Sequence, residues 1–135
     1  MSKILALDIG RKRIGLAMCD TELPIPEPLY VLERAGKYAE KMILEILQRH
    51  SIQTLVVGLP LGEGNEETAE SESIRRYVAR FEKRAAIKIE FVDEYASSEE
   101  ALEALRHKSG SKKGMLDSVA ASIILQRYLD VINHA

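Results

Sequence analysis

The spacing of apolar positions changes along the chain, and each change marks an element. Residues 3–9 (KILALDI) and 13–19 (RIGLAMC) are apolar runs split by Gly10-Arg11-Lys12, which predicts an antiparallel hairpin. Gly10 and Gly15 suit a tight turn and a close backbone approach. The Pro-rich stretch TELPIPEP is a connection, since proline interrupts strand and helix interiors alike. PLYVLE (28–33) predicts a third strand. Ala39, Met42, Ile43, Ile46 and Leu47 then recur at the spacing of one helical stripe, which ends near His50. TLVVG (54–58) is continuously apolar, the mark of a central strand covered on both faces. After the irregular LPLGEGNEET, a second helix places Ile74, Tyr77, Val78 and Phe81 on one side. IKIEFVDE (87–94) predicts a fifth strand, and Ser98 caps a short helix carrying Ala101, Leu102 and Leu105. A basic loop, RHKSGSKKG (106–114), leads to a last helix whose buried face is expected at Leu116, Val119, Ala120, Ile123 and Ile124.

The predicted order is β-β-β-α-β-α-β-α, an α/β class. A three-strand meander followed by right-handed crossovers gives a mixed five-stranded sheet of order 3-2-1-4-5, with helices on both faces. With 135 residues and neither internal repeat nor linker, one domain over 1–135 is expected.

Composition adds exclusions. An apolar share of 46% and a charged share of 30% describe an ordinary globular chain. The net charge of −2 does not announce a nucleic-acid binder, so any such binding must come from local patches. A single cysteine, Cys19, excludes an internal disulfide and fits a reducing cytosol. ILAL is too short for a signal peptide and Asp8 interrupts it; no run is long enough to span a membrane. A cytoplasmic protein with no membrane contact is expected.

The candidate chemistry lies where the strands end. Ligands of open α/β sheets bind beyond the carboxyl ends of the strands, where connections diverge, and strand 1 is at that divergence. Asp8 lies near its end, and Glu94 ends strand 5, two strands away or roughly 10 Å. Asp117 falls in the first turn of the last helix, at the edge of its expected buried face. Each acid also has a plainer reading: Asp8 as a turn acid, Glu94 as a solvated surface acid, Asp117 as a favourable charge on the helix dipole. Alternation does not choose between Asp93 and Glu94 at the strand's end. Three carboxylates meeting in one crevice would repel unless a cation joined them. Mg²⁺ or Mn²⁺, hard ions that take carboxylate and phosphate oxygens, fit that need.

Two cationic segments adjoin these acids. Arg11, Lys12 and Arg13 follow Asp8; Arg106, His107, Lys108, Lys112 and Lys113 precede Asp117. Charge runs usually form solvated loops. Here Arg11, Lys12, Arg13, Lys108, Lys112 and Lys113 are placed to hold a polyanion's phosphates beside the acids.

The motifs ALDIGRKRIGLAMCD, VVGLPLG (56–62), FVDEYAS (91–97) and LDSVAASIILQRYLD (116–130) resemble, in order and spacing, those of the YqgF (RuvX) family. That family is similar to Holliday junction resolvases of the RNase H-like superfamily, and the resemblance covers essentially the whole chain. It implies an RNase H-like fold and matches Asp8, Glu94 and Asp117 to the family's acidic positions, as catalytic and metal-binding residues. It implies a metal-dependent nuclease that hydrolyses phosphodiester bonds in structured nucleic acid, at the 5′ end of precursor 16S ribosomal RNA. The alternatives are Holliday junction resolution, with branched DNA as substrate, and a non-cleaving RNA-binding role in ribosome assembly. Ribosomal precursor particles are the implied partners, for a monomer or weak homodimer. Two positions depart from the family pattern: Tyr95 stands where an Arg usually follows the Glu, and Gly62 stands where an Asn follows GLPL. An Arg can hold phosphate bidentately and a Tyr cannot.

Overall fold

Alternation along β1 (Lys3–Ile9) sends Leu5, Leu7 and Ile9 to one face of a sheet and Ile4, Ala6 and Asp8 to the other. The computed structural model, which describes residues 3–93 and 115–133, carries that division across five strands. The others are β2 (Arg13–Asp20), β3 (Glu27–Glu33), β4 (Thr54–Leu59) and β5 (Lys88–Asp93). Their order is β3-β2-β1-β4-β5, as the chain pattern predicts. β2 is antiparallel to β1 and to β3, while β4 and β5 run parallel to β1. Pro28 lies in β3, an edge strand, beside an irregularity in the register with β2 between Gly15 and Ala17.

The first face is covered by α1 (Tyr38–Arg49) and α2 (Ala69–Arg84). Ile43, Ile46 and Leu47 of α1 and Ile74, Val78 and Phe81 of α2 join Leu5, Leu7, Leu16, Leu55 and Val57 in one apolar cluster. The expected stripes hold, with two polar additions: Glu40 is also buried on α1 and Ser71 on α2. α2 starts at Thr68, whose side chain accepts from the Ser71 N–H at 3.0 Å while the Ser71 hydroxyl accepts from the Thr68 N–H at 2.7 Å. Such a reciprocal cap is worth about 1 kcal/mol.

The second face is covered by α3 (Met115–Asn133). Its residues are smaller: Ala6, Ala17, Cys19 and Val56 meet Ala121, Ile124 and Leu125. The buried side of α3 differs from the expected one. Ser118, Ala120, Ala121, Ile124, Leu125 and Leu129 are buried, while Val119 and Ile123 are only half-buried. Apolar residues occupy most of the circumference of α3, so their period does not define a face. The correction turns the helix by about one residue, or roughly 100°. Asp117 moves from the edge of the expected stripe into the angular range of the observed one. The short helix expected after Ser98 lies outside the described residues.

Candidate active site

Asp8 occupies the last turn of the pleat in β1, half-buried and directly opposite Gly15 of β2. Residues opposite one another share a face and stand about 4.5–5.5 Å apart at Cα. Gly15 carries no side chain there because the backbone of α3 takes its place. A Cβ on Gly15 would stand 2.8 Å from Ser118 N and closer still to the Asp117 carbonyl. The close approach expected at Gly15 is thus a contact between β2 and the first turn of α3. It seats the first turn of α3, with Asp117, against Gly15, the residue that pairs with Asp8 across the two strands.

Arg13 lies two residues before Gly15 in β2 and so on the same face. Its Nε donates to Asp117 Oδ2 at 2.8 Å, with side chains 46% and 26% exposed. Solvent screening at that exposure limits the pair to about 1 kcal/mol or less. Asp8 is also engaged by a neighbour.

The turn bearing these cations is held firmly. Gly10 N donates to Arg13 O at 2.8 Å, closing the hairpin. Arg34 clamps it from outside: its N–H donates to Lys12 O at 2.8 Å, Nη1 to Gly10 O at 2.9 Å and Nη2 to Ser73 Oγ at 3.0 Å. The Arg34 guanidinium also stacks 5.2 Å from the centroid of Tyr77. Burial, with the Glu40 charge nearby, pushes the Tyr77 phenol above its ordinary pKa, so it stays neutral. Sequence reasoning missed Arg34. An arginine between a strand and Gly36 carries no local signal, because its partners come from the β1–β2 turn and α2.

The remaining candidates separate. Arg11 Nη2 pairs with Glu70 Oε1 at 2.9 Å on the surface, and Lys12 forms no ion pair among the described residues. By register Asp93 lies beside Leu59, on the α1–α2 face opposite Asp8. Glu94, Tyr95, Lys108, Lys112 and Lys113 lie outside the described residues. Among the described residues no group of three His, Cys, Asp or Glu side chains comes together. Asp8 and Asp117 supply carboxylate oxygens alone, the donor type of hard divalent cations, and Asp117 already holds one cationic group. The pair therefore suits Mg²⁺ or Mn²⁺ better than a soft metal.

A family model described as RuvX, Holliday junction resolvase, matches residues 2–131. The chain belongs to the RuvX family. A relative from Synechococcus sp. (strain CC9902) is 40% identical over 131 residues, spanning 93% of this chain and 77% of its own length. One from Maridesulfovibrio salexigens is 36% identical, spanning 94% and 97%. Both are named, provisionally, as pre-16S rRNA nucleases. Among solved structures, Thermus thermophilus RuvC in complex with a Holliday junction substrate has a TM-score of 0.60 at 14% identity, covering 97% of this chain and 96% of that one. The fowlpox virus Holliday junction resolvase has a TM-score of 0.58 at 14% identity, covering 98% and 99%. The RuvX sheet is thus a RuvC-like, RNase H-like sheet, and this likeness extends over nearly the whole chain. Among the described residues, no helix is long and apolar enough to cross a membrane.

Proposed function

We propose that this RuvX chain is a metal-dependent nuclease that cleaves phosphodiester bonds in structured nucleic acid in the cytoplasm, with the 5′ end of precursor 16S rRNA as its substrate. The observation that carries the reading is the Gly15 contact, which seats the Asp117 turn of α3 on the residue opposite Asp8, with Arg13 bonded to Asp117. The names of the relatives support the choice of RNA. Asp8, Asp117 and Glu94 would hold Mg²⁺ or Mn²⁺. When bound, the metal would activate water and stabilise charge on the phosphoryl oxygens.

The chain's own residues have distinct tasks in this reading. Asp8 and Asp117 provide fixed negative charge on rigid elements, a strand and a helix anchored on it. Arg13 neutralises Asp117 in the free protein and is within reach to donate instead to a phosphate oxygen. Arg34 acts through others: it orients the Gly10–Lys12 turn and so positions Arg11, Lys12 and Arg13 for the phosphate backbone. Lys108, Lys112 and Lys113, in the basic segment that precedes α3 in the sequence, are assigned to the same backbone.

Asp8→Asn preserves size while removing charge. It should abolish Mn²⁺-dependent cleavage of a precursor RNA with an extended 5′ end and leave the thermal midpoint within a few degrees. Cleavage at the parent rate by that variant would refute the assignment. The second reading, resolution of branched DNA, is favoured by the family's description and the whole-chain likeness to RuvC. Symmetric junction cleavage needs two sites and hence a dimer. A four-way DNA junction run beside the RNA decides between them: symmetric nicks with intact RNA would replace the RNA assignment.

A further inference from the structure

The β1–β2 turn carries more positive charge than a two-acid site requires, and much of it faces away from α3. A groove of about 630 Å³ starts at Arg13 and runs toward α2. Arg11, Lys12, Arg13, Arg34 and Arg80 line it, against one acid, Glu33. Five cations in one groove are a local departure for a chain of net charge −2. Gathering them costs repulsion that an ordinary solvated surface would avoid by dispersing them.

The groove's charges differ in how far they are committed. Arg11 faces Glu70 at 2.9 Å and Arg13 faces Asp117 at 2.8 Å. Arg34 is fixed by two side-chain hydrogen bonds and by Tyr77, yet none of these partners is anionic, so its charge stays available. Arg80 is 63% exposed and only 3.8 Å from Glu40, too far for a hydrogen bond. Lys12 has no ion pair among the described residues. A fixed guanidinium flanked by two loosely held cations suits a ligand of several evenly spaced anionic groups. Gly36 keeps the wall low: it turns at φ +79°, with nothing within 4 Å of where a side chain would begin. The apolar anchor pocket on which protein partners depend is missing, since Arg34 covers Tyr77.

We propose that this groove binds the sugar-phosphate backbone of a nucleic acid, on the segment that continues past Asp8 and Asp117 and bends round the β1–β2 turn toward α2. The proposal rests on the nuclease reading only in taking one nucleic acid to occupy both places. Arg34 and Arg80 thereby become binding residues, and the substrate must extend several nucleotides beyond the bond at the acids.

The test is fluorescence anisotropy with a labelled RNA hairpin bearing a 5′ single-stranded extension, in chelator so that nothing is cut. Lys12→Gln and Arg80→Gln should each weaken binding about 3- to 10-fold and lower the salt slope by about 1. Arg80→Lys should restore most of the loss. A hairpin shortened to span only the acids should bind parent and Arg80→Gln alike. Lys12 touches no described ion pair, so Lys12→Gln reads the groove even if Arg80→Gln unsettles Glu40. Parent affinity in both Gln variants, or equal losses by Arg80→Gln on long and short hairpins, would overturn the proposal. Cleavage by the parent in Mn²⁺ is scored separately: no cleavage with weakened Arg80→Gln binding rejects the nuclease and keeps the groove. Normal cleavage with unchanged binding rejects the groove and keeps the nuclease.

Discussion

Gly15→Ala tests the contact on which the site depends. The new Cβ would stand 2.8 Å from Ser118 N, whereas ordinary contact begins at 3.4 Å, so α3 must retreat by about 0.6 Å there and further at Asp117. The obstacle is helix backbone seated on β2, the strand next to the central β1, and neither part can rotate aside as a side chain would. Overpacking of this kind costs about 1–3 kcal/mol, set against roughly 0.5–1 kcal/mol gained by replacing a strand glycine. A net loss of about 1–2 kcal/mol lowers the thermal midpoint by roughly 3–8 °C for a domain of this size. The displacement also separates Asp117 from Asp8, and a misplacement near 1 Å costs about 100-fold in rate. Urea denaturation and Mn²⁺-dependent cleavage measure the two effects independently. Gly62→Ala is the control, because its Cβ would meet nothing closer than 3.7 Å; it should stay within about 0.5 kcal/mol of the parent. Gly15→Ala with parent stability would refute the account of how α3 is seated, whatever its activity.

Two further outcomes follow from the same geometry. Arg13→Gln removes the cation that competes for Asp117, so Mn²⁺ affinity by calorimetry should rise up to about 5-fold while RNA binding weakens; an unchanged or lower metal affinity would contradict the competition. Tyr77→Phe removes a buried hydroxyl with no hydrogen-bond partner among the described residues, and should stabilise the protein by about 1 kcal/mol near neutrality. Because the folded Tyr77 pKa is raised above 10.0, the folded state holds its proton longer than the unfolded state does; stability should fall as pH rises above about 10, and Tyr77→Phe should flatten that fall in denaturation curves.

The strands and their order were legible because each β run had a distinct length and punctuation, and because topology rules left few arrangements. α1 and α2 were legible from their stripes, since polar residues fill their opposite sides. α3 was not: with apolar residues around most of its surface, only contact with the sheet decides which side is buried. The site divides similarly. Asp8 stood out as an acid closing a buried strand, and Gly15 as a glycine in an apolar run. That these two face each other across β1 and β2 needs the register, which the turn at Gly10–Arg13 sets. Arg34 and Arg80 had no sequence signal, because each acquires its setting from elements distant along the chain.

The size difference between the two faces explains how one sheet serves as both scaffold and site. On the α1–α2 face, Leu, Ile and Phe side chains fill the space and hold the helices off the strands. On the α3 face, Gly15, Ala6, Ala17 and Ala121 let a helix descend until backbone meets backbone. Backbone contact fixes position more tightly than interdigitated side chains do, since it has no rotamers to adjust. A carboxylate in the first turn of that helix inherits this precision relative to a carboxylate on the strand below. The small residues of β1 and β2 are therefore determinants of the spacing between Asp8 and Asp117. Enlarging any of them would move one acid away from the other, though it left both in place in the sequence.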